Sequence, residues 1–217
     1  MVPGIHKRGE TFAAEKTFPL YEIENKIWNE GEVFMKERLY TERLVMRKWA
    51  ESDAKNLYEY AKNPDVGPIA GWPLHENIDF SKMAIREYLS IPGTYAVSLK
   101  DDHAAIGSVG LLFGENSNLV TNENEAELGY WIGVPFWGQG LIPEACREIL
   151  RYGFEELGLK KIWCAYFNDN VKSKKVQEKI GFLYSHTNEN IYWELMDDYR
   201  TEHIYCMTRE RWLELQK

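Results

Sequence analysis

Residues 130–145 read YWIGVPFWGQGLIPEA, and this stretch decides the fold. Its first residues are aromatic and β-branched, which is typical of a strand, whereas Ala145 and Ile149 start an apolar repeat at helical spacing. Gly138 and Gly140 separate the two patterns. Glycines let a main chain come close to a ligand, and the first N–H groups of a helix point at an anion with the positive end of the helix dipole behind them. The stretch therefore predicts a strand, a turn and a helix that together bind a diphosphate.

Two nucleotide-binding motifs do not fit this turn. A dinucleotide fingerprint requires a third glycine where Pro143 stands, and a P-loop requires Gly-Lys-Ser/Thr, which is absent here. Both motifs also belong to parallel sheets, whereas the preceding residues 95–134 predict an antiparallel meander. An ordinary turn before an ordinary helix is the plain alternative, because two glycines alone do not decide between the two interpretations.

The rest of the chain mixes helical and strand patterns and contains no internal repeat. Residues 1–37 show no sustained period, so we predict an N-terminal extension at 1–37 and one folded domain at 38–217. The fold class is α+β, a mixed α/β arrangement. The predicted helices cover residues 56–61, after a cap at Ser52 or Asp53, then 81–89, 145–157 and 171–180, and the predicted strands cover 44–47, 95–99, 105–113, 125–134, 161–166, 182–187 and 203–208.

Composition restricts the partners. The chain has 26 Lys and Arg against 34 Asp and Glu, for a formal charge of -8, so a nucleic acid is a poor partner and a cationic small molecule or peptide fits better. No apolar run approaches the ~20 residues of a spanning helix, and residues 1–10 lack the apolar stretch of a signal peptide. We therefore expect a cytoplasmic protein without a membrane partner. The cysteine and histidine spacings suggest neither disulfides nor a metal site.

Six stretches of the chain form a recognisable set, namely the strand 125–134, the turn Trp137–Gly140, Asn170–Ser173, Glu178–Phe182, the opening Thr41–Leu44 and the loop Gly71–Pro73. Together they resemble the GNAT superfamily of N-acetyltransferases, and more narrowly its RimJ/RimL-like branch of ribosomal-protein-alanine acetyltransferases. The resemblance extends from about Leu39 to Thr208. It implies the GNAT fold, a central, mostly antiparallel, twisted sheet with one splayed parallel pair of strands, flanked by helices.

The resemblance implies acetyl-CoA as the cofactor. Its pyrophosphate would bind the amides of the turn, and its pantetheine arm would lie between the splayed strands. Capping of the following helix is a competing explanation for Asn170 and Ser173. Ile142 departs from the family pattern, because a β-branched residue must present its amide without a positive φ. The implied cofactor-binding residues are Trp131, Ile132, Gly133, Trp137, Gly138, Gln139, Gly140, Leu141, Ile142, Asn170 and Ser173.

Glu127 is the predicted general base. An alkylamine has a pKa of about 10.4, so its neutral form costs about 4 to 5 kcal/mol at pH 7. Glu127 matches the position at which many members of the superfamily have a catalytic glutamate, and strand alternation places it on the same face as Gly129 and Trp131. A solvated or ion-paired strand carboxylate is the alternative.

Ser173 is the second predicted catalytic residue. Many members of the superfamily protonate the leaving thiolate with a tyrosine four positions later, but Gln177 stands there in this chain and cannot act as an acid. Ser173 or an ordered water takes that role. Trp72 and Trp193, with Glu127, are predicted to line the amine site, although core packing also explains buried tryptophans. The acidic run 194–202 is interpreted as a solvated hairpin loop, and the alternative is that its charge lies beside the acceptor site and attracts amines.

These observations predict an acetyl-CoA-dependent N-acetyltransferase, monomeric or homodimeric, that transfers acetyl directly to a primary amine. The acceptor would be a protein N-terminus or a small-molecule amine. No cysteine lies on the cofactor strand, so a covalent acyl-enzyme route is disfavoured. The alternative is a non-catalytic acyl-CoA-binding or interaction protein with the same fold, and a third interpretation is a structural domain whose glycines bind no ligand.

Overall fold

The computed structural model describes residues 28–29, 32–33, 35–120 and 122–217. Most of the predicted extension at 1–37 lies outside the described residues, so its boundary with the folded domain stays a prediction. Within it, Trp28–Asn29 (β1) pairs antiparallel with Glu32–Val33 (β2). Lys36 is tied to the domain, because its N–H donates to the Tyr152 hydroxyl at 3.1 Å and its carbonyl accepts from the Tyr95 hydroxyl at 2.9 Å.

One eight-stranded sheet forms the centre of the domain. Its strands are Arg38–Tyr40 (β3), Leu44–Arg47 (β4), Thr94–Leu99 (β5), Asp102–Leu112 (β6), Glu125–Ile132 (β7), Lys161–Phe167 (β8), Leu183–Trp193 (β9) and Asp198–Thr208 (β10). They lie in the order β3-β4-β5-β6-β7-β8-β10-β9. β7 and β8 are parallel and every other neighbouring pair is antiparallel. The predicted mixed fold class is confirmed.

The parallel pair separates along its length. β7 and β8 pair only where Glu125–Glu127 lies beside Lys161–Trp163, and the described residues show no pairing between the two strands beyond that point. A gap therefore opens between their carboxyl-terminal halves. The N–H of Gly133 donates to Ile106 O of β6 at 2.9 Å. Main-chain groups of successive residues in a strand point to opposite edges, so the N–H of Ile132 is directed into the gap.

The four predicted helices are present in the predicted order, and the described residues contain a fifth helix, Arg209–Leu215, that was not predicted. In chain order these helices are Ala54–Ala61 (α1), Ile78–Ala84 (α2), Leu141–Arg151 (α3), Val171–Ile180 (α4) and Arg209–Leu215 (α5), and α2 and α3 each continue through a π-helical turn, to Leu89 and Glu156. α2 starts three residues earlier than predicted because the Asn77 side chain accepts a hydrogen bond from the Phe80 N–H and caps it. Asp53 occupies the predicted cap of α1, but its carboxylate binds the Arg47 guanidinium instead of capping the helix.

Two hydrophobic cores lie on opposite faces of the sheet. α1 and the end of α2 pack Leu57, Ile85 and Leu89 into the core that contains Trp131. α3, its π turn and α5 pack into the other core, which contains Tyr130. Because successive side chains of a strand alternate between faces, Glu127 lies on the α1 face with Trp131. The gap between β7 and β8 thus connects one face of the sheet with the other.

Candidate active site

A cleft of about 410 Å³ enters the gap between β7 and β8. Its lining comes from both strands, the turn before α3, one side of α4 and residues 65–70 of the segment that follows α1. Most of the predicted cofactor-binding residues meet in it, namely Trp131, Ile132, Trp137, Gly138, Gly140, Leu141, Ile142, Asn170 and Ser173.

Two predicted cofactor-binding residues, Gly133 and Gln139, do not line the cleft. A Cβ added to Gly133 would lie 2.5 Å from the Tyr60 ring, so this glycine permits close packing of α1 on the sheet. Gln139 turns its side chain away, because its Nε2 donates to Pro135 O at 2.9 Å. Only the main-chain N–H of Gln139 is left to contribute to a site.

The turn before α3 forms a concave set of hydrogen-bond donors. Gly138 and Gly140 both have φ of 75°, in the left-handed region that glycine adopts without strain. Within the described ranges, none of the main-chain N–H groups of residues 138–142 has a hydrogen-bond acceptor, whereas the Glu144 N–H bonds Gly140 O at 3.2 Å. A Cβ added to Gly138 would meet no atom within 4 Å, so the space above the turn is open. Adjacent free amides at the positive end of a helix suit a phosphate.

Glu144 anchors this turn to the start of the sheet. Its carboxylate accepts hydrogen bonds from Thr41 Oγ1 at 2.5 Å, the Arg43 N–H at 2.9 Å and Arg43 Nε at 2.7 Å. Burial acts to raise the pKa of Glu144, but the bonds from Thr41 and Arg43 outweigh it and lower that pKa. Arg43 Nη1 also donates to Gln139 O at 3.0 Å. The Thr41–Leu44 motif therefore fixes the geometry of the turn.

The start of α4 supplies polar groups to the inner end of the cleft. Asn170 caps α4, because its side chain accepts from the Ser173 N–H at 3.1 Å, and both residues also line the cleft. Capping therefore does not compete with a place in the cleft, since the pair caps α4 and also lines the cleft. Gln177 is fully buried, and its Nε2 donates to Ala165 O at 3.0 Å and to Ser173 Oγ at 3.3 Å. Gln177 thus orients Ser173.

Tyr130 is a cleft residue that the sequence analysis missed. Its hydroxyl lies 2.9 Å from Ser173 Oγ and donates to Ser173 O at 3.1 Å. Burial raises the pKa of Tyr130 well above its ordinary value, so the phenol stays protonated at neutral pH. Strand alternation was the available signal, since Tyr130 directly precedes Trp131 and must face α4.

Glu127 lies at the last paired position of the parallel strands, opposite Trp163. Its side chain is 1% exposed and accepts a hydrogen bond from Ser117 Oγ at 2.8 Å. Burial raises the pKa of Glu127, and the bond from Ser117 opposes part of that rise. A raised pKa strengthens a carboxylate as a base near neutral pH.

The structure corrects the interpretation of residues 194–202 as a solvated loop. Residues 198–202 belong to β10, and Glu202 is only 4% exposed. Glu202 pairs with Phe167 of β8, which shares a face with Trp163, so Glu202 and Glu127 face the same side of the sheet. Burial, with the nearby Glu127, raises the pKa of Glu202 to about 7. Two buried carboxyl groups therefore flank the gap.

Glu202 makes stability depend on pH. A pKa raised from 4.5 to about 7 means that the folded state binds the Glu202 proton more tightly than the unfolded state does. The contribution of that proton to the free energy of unfolding is therefore complete below pH 4.5 and is lost as pH rises through 7. At 1.36 kcal/mol per unit the loss is about 3 kcal/mol. We expect Glu202→Gln to remove this pH dependence. In urea unfolding, the free energy of unfolding of the variant relative to wild type should therefore increase between pH 4 and pH 8. The exposed Glu189→Gln is the control, and an identical gain there would contradict the prediction.

The predicted acceptor-site tryptophans lie behind the cleft. Trp72 packs against Trp131 with ring centroids 6.0 Å apart, and Trp193 donates from Nε1 to Gly71 O at 2.7 Å. Trp193 also packs edge-on against Phe167 at 4.8 Å. Neither Trp72 nor Trp193 is among the residues that line the cleft, so their contact with an amine stays a prediction.

The splayed sheet, the amide-rich turn and the buried carboxylates define an acyltransferase, and comparison with known sequences gives the family. Residues 43–183 match the family described as "Acetyltransferase (GNAT) domain". The chain belongs to this GNAT acetyltransferase family. The predicted fold and the predicted acyltransferase class are confirmed.

Relatives agree with this assignment. The "Uncharacterized N-acetyltransferase p20" of Bacillus licheniformis is 30% identical over 152 residues, which cover 67% of this chain and 82% of the relative. The "Putative ribosomal N-acetyltransferase YdaF" of Bacillus subtilis (strain 168) is 39% identical over 98 residues, covering 45% of this chain and 50% of that protein. A solved GNAT acetyltransferase from Bacillus anthracis superposes with a TM-score of 0.70 at 21% identity, covering 80% of this chain and 99% of that one.

Proposed function

We propose that the chain is an acetyl-CoA-dependent N-acetyltransferase that transfers acetyl directly to a primary amine. The observation behind the proposal is the row of amides at residues 138–142, which have no acceptor among the described residues and which open into a cleft between β7 and β8. Glu127 does not line that cleft and lies behind it, at the last paired position of the two strands. A diphosphate on those amides directs the rest of a long, thin ligand into the gap. A cytoplasmic location and a monomeric or homodimeric state belong to the same proposal.

The residues of the cleft fit the parts of coenzyme A. The unpaired amides of the turn suit its pyrophosphate, and the N–H of Ile132, directed into the gap, suits an amide of pantetheine. Bound acetyl-CoA supplies an acetyl thioester. Tyr130 and Ser173 then lie at the inner end, where the sulfur would arrive.

One residue is assigned to accept a proton during the transfer, and another is assigned to donate one. Glu127 accepts the proton that the amine loses as its nitrogen bonds the acetyl carbon. Ser173 Oγ would supply a proton to the sulfur that leaves as the carbon–sulfur bond breaks, and solvent would carry the proton held by Glu127 back to Ser173. The Tyr130 hydroxyl at 2.9 Å and Gln177 Nε2 at 3.3 Å orient Ser173 Oγ. Glu127 lies on the α1 face of the sheet and Ser173 lies on the α4 face. The amine and the thioester therefore meet in the gap from opposite sides.

The acceptor is a cationic amine in this proposal. The formal charge of -8 and the buried pair Glu127 and Glu202 favour a positive ligand on the α1 face. YdaF, named as a ribosomal N-acetyltransferase, favours a protein amino terminus within that class. Small-molecule amines share the same chemistry and are the second candidate.

A thiol-release screen tests the proposed function. The full chain is incubated with acetyl-CoA and either peptides with free amino termini or small amines, and free thiol and acetylated product are both measured. We expect thiol release that depends on one of the amines, together with a product heavier by one acetyl group. Binding of the coenzyme without acetyl transfer to any amine in the panel would contradict the catalytic proposal.

A further inference from the structure

The outer wall of the cleft has a row of lysines that the proposed transfer does not use. Lys172, Lys175 and Lys179 of α4 all line the cleft. Positions i, i+3 and i+7 lie on one face of a helix, and a rise of 1.5 Å per residue spreads them over about 10 Å. Lys172 marks the end nearest the turn, because its Nζ lies 3.5 Å from the centre of the Trp137 ring. Lys175 and Lys179 continue the row beyond the turn.

Among the residues that the structure describes, no acidic side chain forms an ion pair with the row of lysines. Asp65 is the only acidic side chain among the described residues lining the cleft. The cleft is therefore cationic, although the chain as a whole has a formal charge of -8. A local positive strip of this kind attracts an anionic group of a ligand.

We propose that Lys175 and Lys179 bind the 3′-phosphate of coenzyme A, and this inference rests on the proposed function. The 3′-phosphate and the 5′-diphosphate are attached to the same ribose, so a diphosphate on the turn leaves the 3′-phosphate one sugar ring away. The pantetheine arm runs the other way, toward Tyr130, so the lysines beyond the turn meet the nucleotide end. Lysine ammonium groups bind a phosphomonoester through charge-assisted hydrogen bonds.

Calorimetric titration of the full chain with coenzyme A and with dephospho-coenzyme A tests this subsite, since the two ligands differ only in the 3′-phosphate. We expect the wild type to bind coenzyme A about tenfold more tightly. The difference shrinks as salt is raised. The double variant Lys175→Gln/Lys179→Gln binds coenzyme A as weakly as dephospho-coenzyme A, and its affinity for dephospho-coenzyme A stays within about twofold of wild type.

Lys174→Gln is the matched control. It removes the same charge from the same helix, but Lys174 does not line the cleft and lies 3.9 Å from Glu178. Both affinities stay unchanged in this control. Equal wild-type affinities for the two ligands overturn this inference and leave the proposed function standing. An equal loss of affinity for both ligands in the double variant also overturns this inference, because the lysines then act on the diphosphate that the two ligands share. If wild type binds neither ligand, both proposals are overturned.

Discussion

Glu127→Gln is expected to lower kcat roughly 10²- to 10³-fold while leaving the affinity for coenzyme A within about twofold. The substitution keeps the shape of the side chain, and Ser117 Oγ can still donate to its amide oxygen. It removes only the ability to take a proton from the amine. The loss therefore falls on the chemical step, which steady-state kinetics with a competent amine and calorimetry with coenzyme A separate.

Glu125→Gln provides the control for that experiment. Glu125 lies two residues earlier on β7, at the paired end of the parallel strands and away from the gap, and it accepts a hydrogen bond from Trp163 Nε1 at 2.6 Å. Its substitution removes the same charge from the same strand, and we expect kcat within about twofold of wild type. The prediction for Glu127 is wrong if both variants lose activity to the same degree, or if Glu127→Gln turns over like wild type.

The wild-type pH profile checks the same role independently. Burial raises the pKa of Glu127, and a base acts only when unprotonated, so activity rises with pH through that raised pKa. Deprotonation of Glu202 near pH 7 places a second negative charge close by and raises the pKa of Glu127 further. Glu202→Gln is therefore expected to move the acid limb of the profile to lower pH. An unchanged limb in that variant contradicts the coupling of the two carboxyl groups.

Local patterns predicted the parts of the fold that depend on neighbouring residues. The glycine turn and the start of α3 follow from backbone freedom and helix-end chemistry, both of which are visible in residues 138–145. The splayed pair of β7 and β8 came from the family resemblance, because no local signal encodes where two strands distant in sequence stop pairing. Glu202 shows the limit most clearly, since its burial depends on strands β8 and β9 lying on either side of it.

The residues of the candidate site also divide into those with a local sequence signal and those whose contacts depend on packing. The glycine turn was found from local backbone chemistry and Asn170 from the family resemblance, whereas Tyr130 was missed because its contact with Ser173 joins residues 43 positions apart. The pairing of Glu144 with Arg43, 101 residues apart, was missed for the same reason. Such contacts depend on how elements pack, and a single sequence does not record that packing.

Gly138→Asp is expected to weaken coenzyme A binding roughly hundredfold or more. Gly138 has φ of 75°, and an added Cβ would meet no protein atom within 4 Å, so the new side chain fits the protein and enters the space above the turn. That space lies over the unpaired amides of residues 138–142. Two like charges 4 Å apart repel by about 4 kcal/mol at an effective dielectric constant of 20, which is enough to displace a diphosphate. Calorimetric titration measures the loss.

Two further variants separate charge and space from backbone strain. Gly138→Asn has nearly the same shape as Gly138→Asp without the charge, so the difference between their affinities is the electrostatic part. We expect that part to be roughly hundredfold or more, since a repulsion of about 4 kcal/mol corresponds to nearly three factors of ten in affinity. Gly158→Asp tests strain, because Gly158 has φ of 70°, has no atom within 4 Å of an added Cβ and lies away from the cleft. Both aspartates cost about 1 kcal/mol of stability through the left-handed backbone, but only the one at 138 reduces affinity. If Gly158→Asp weakens binding equally, residues 138–142 do not hold the diphosphate, because strain alone then accounts for the loss.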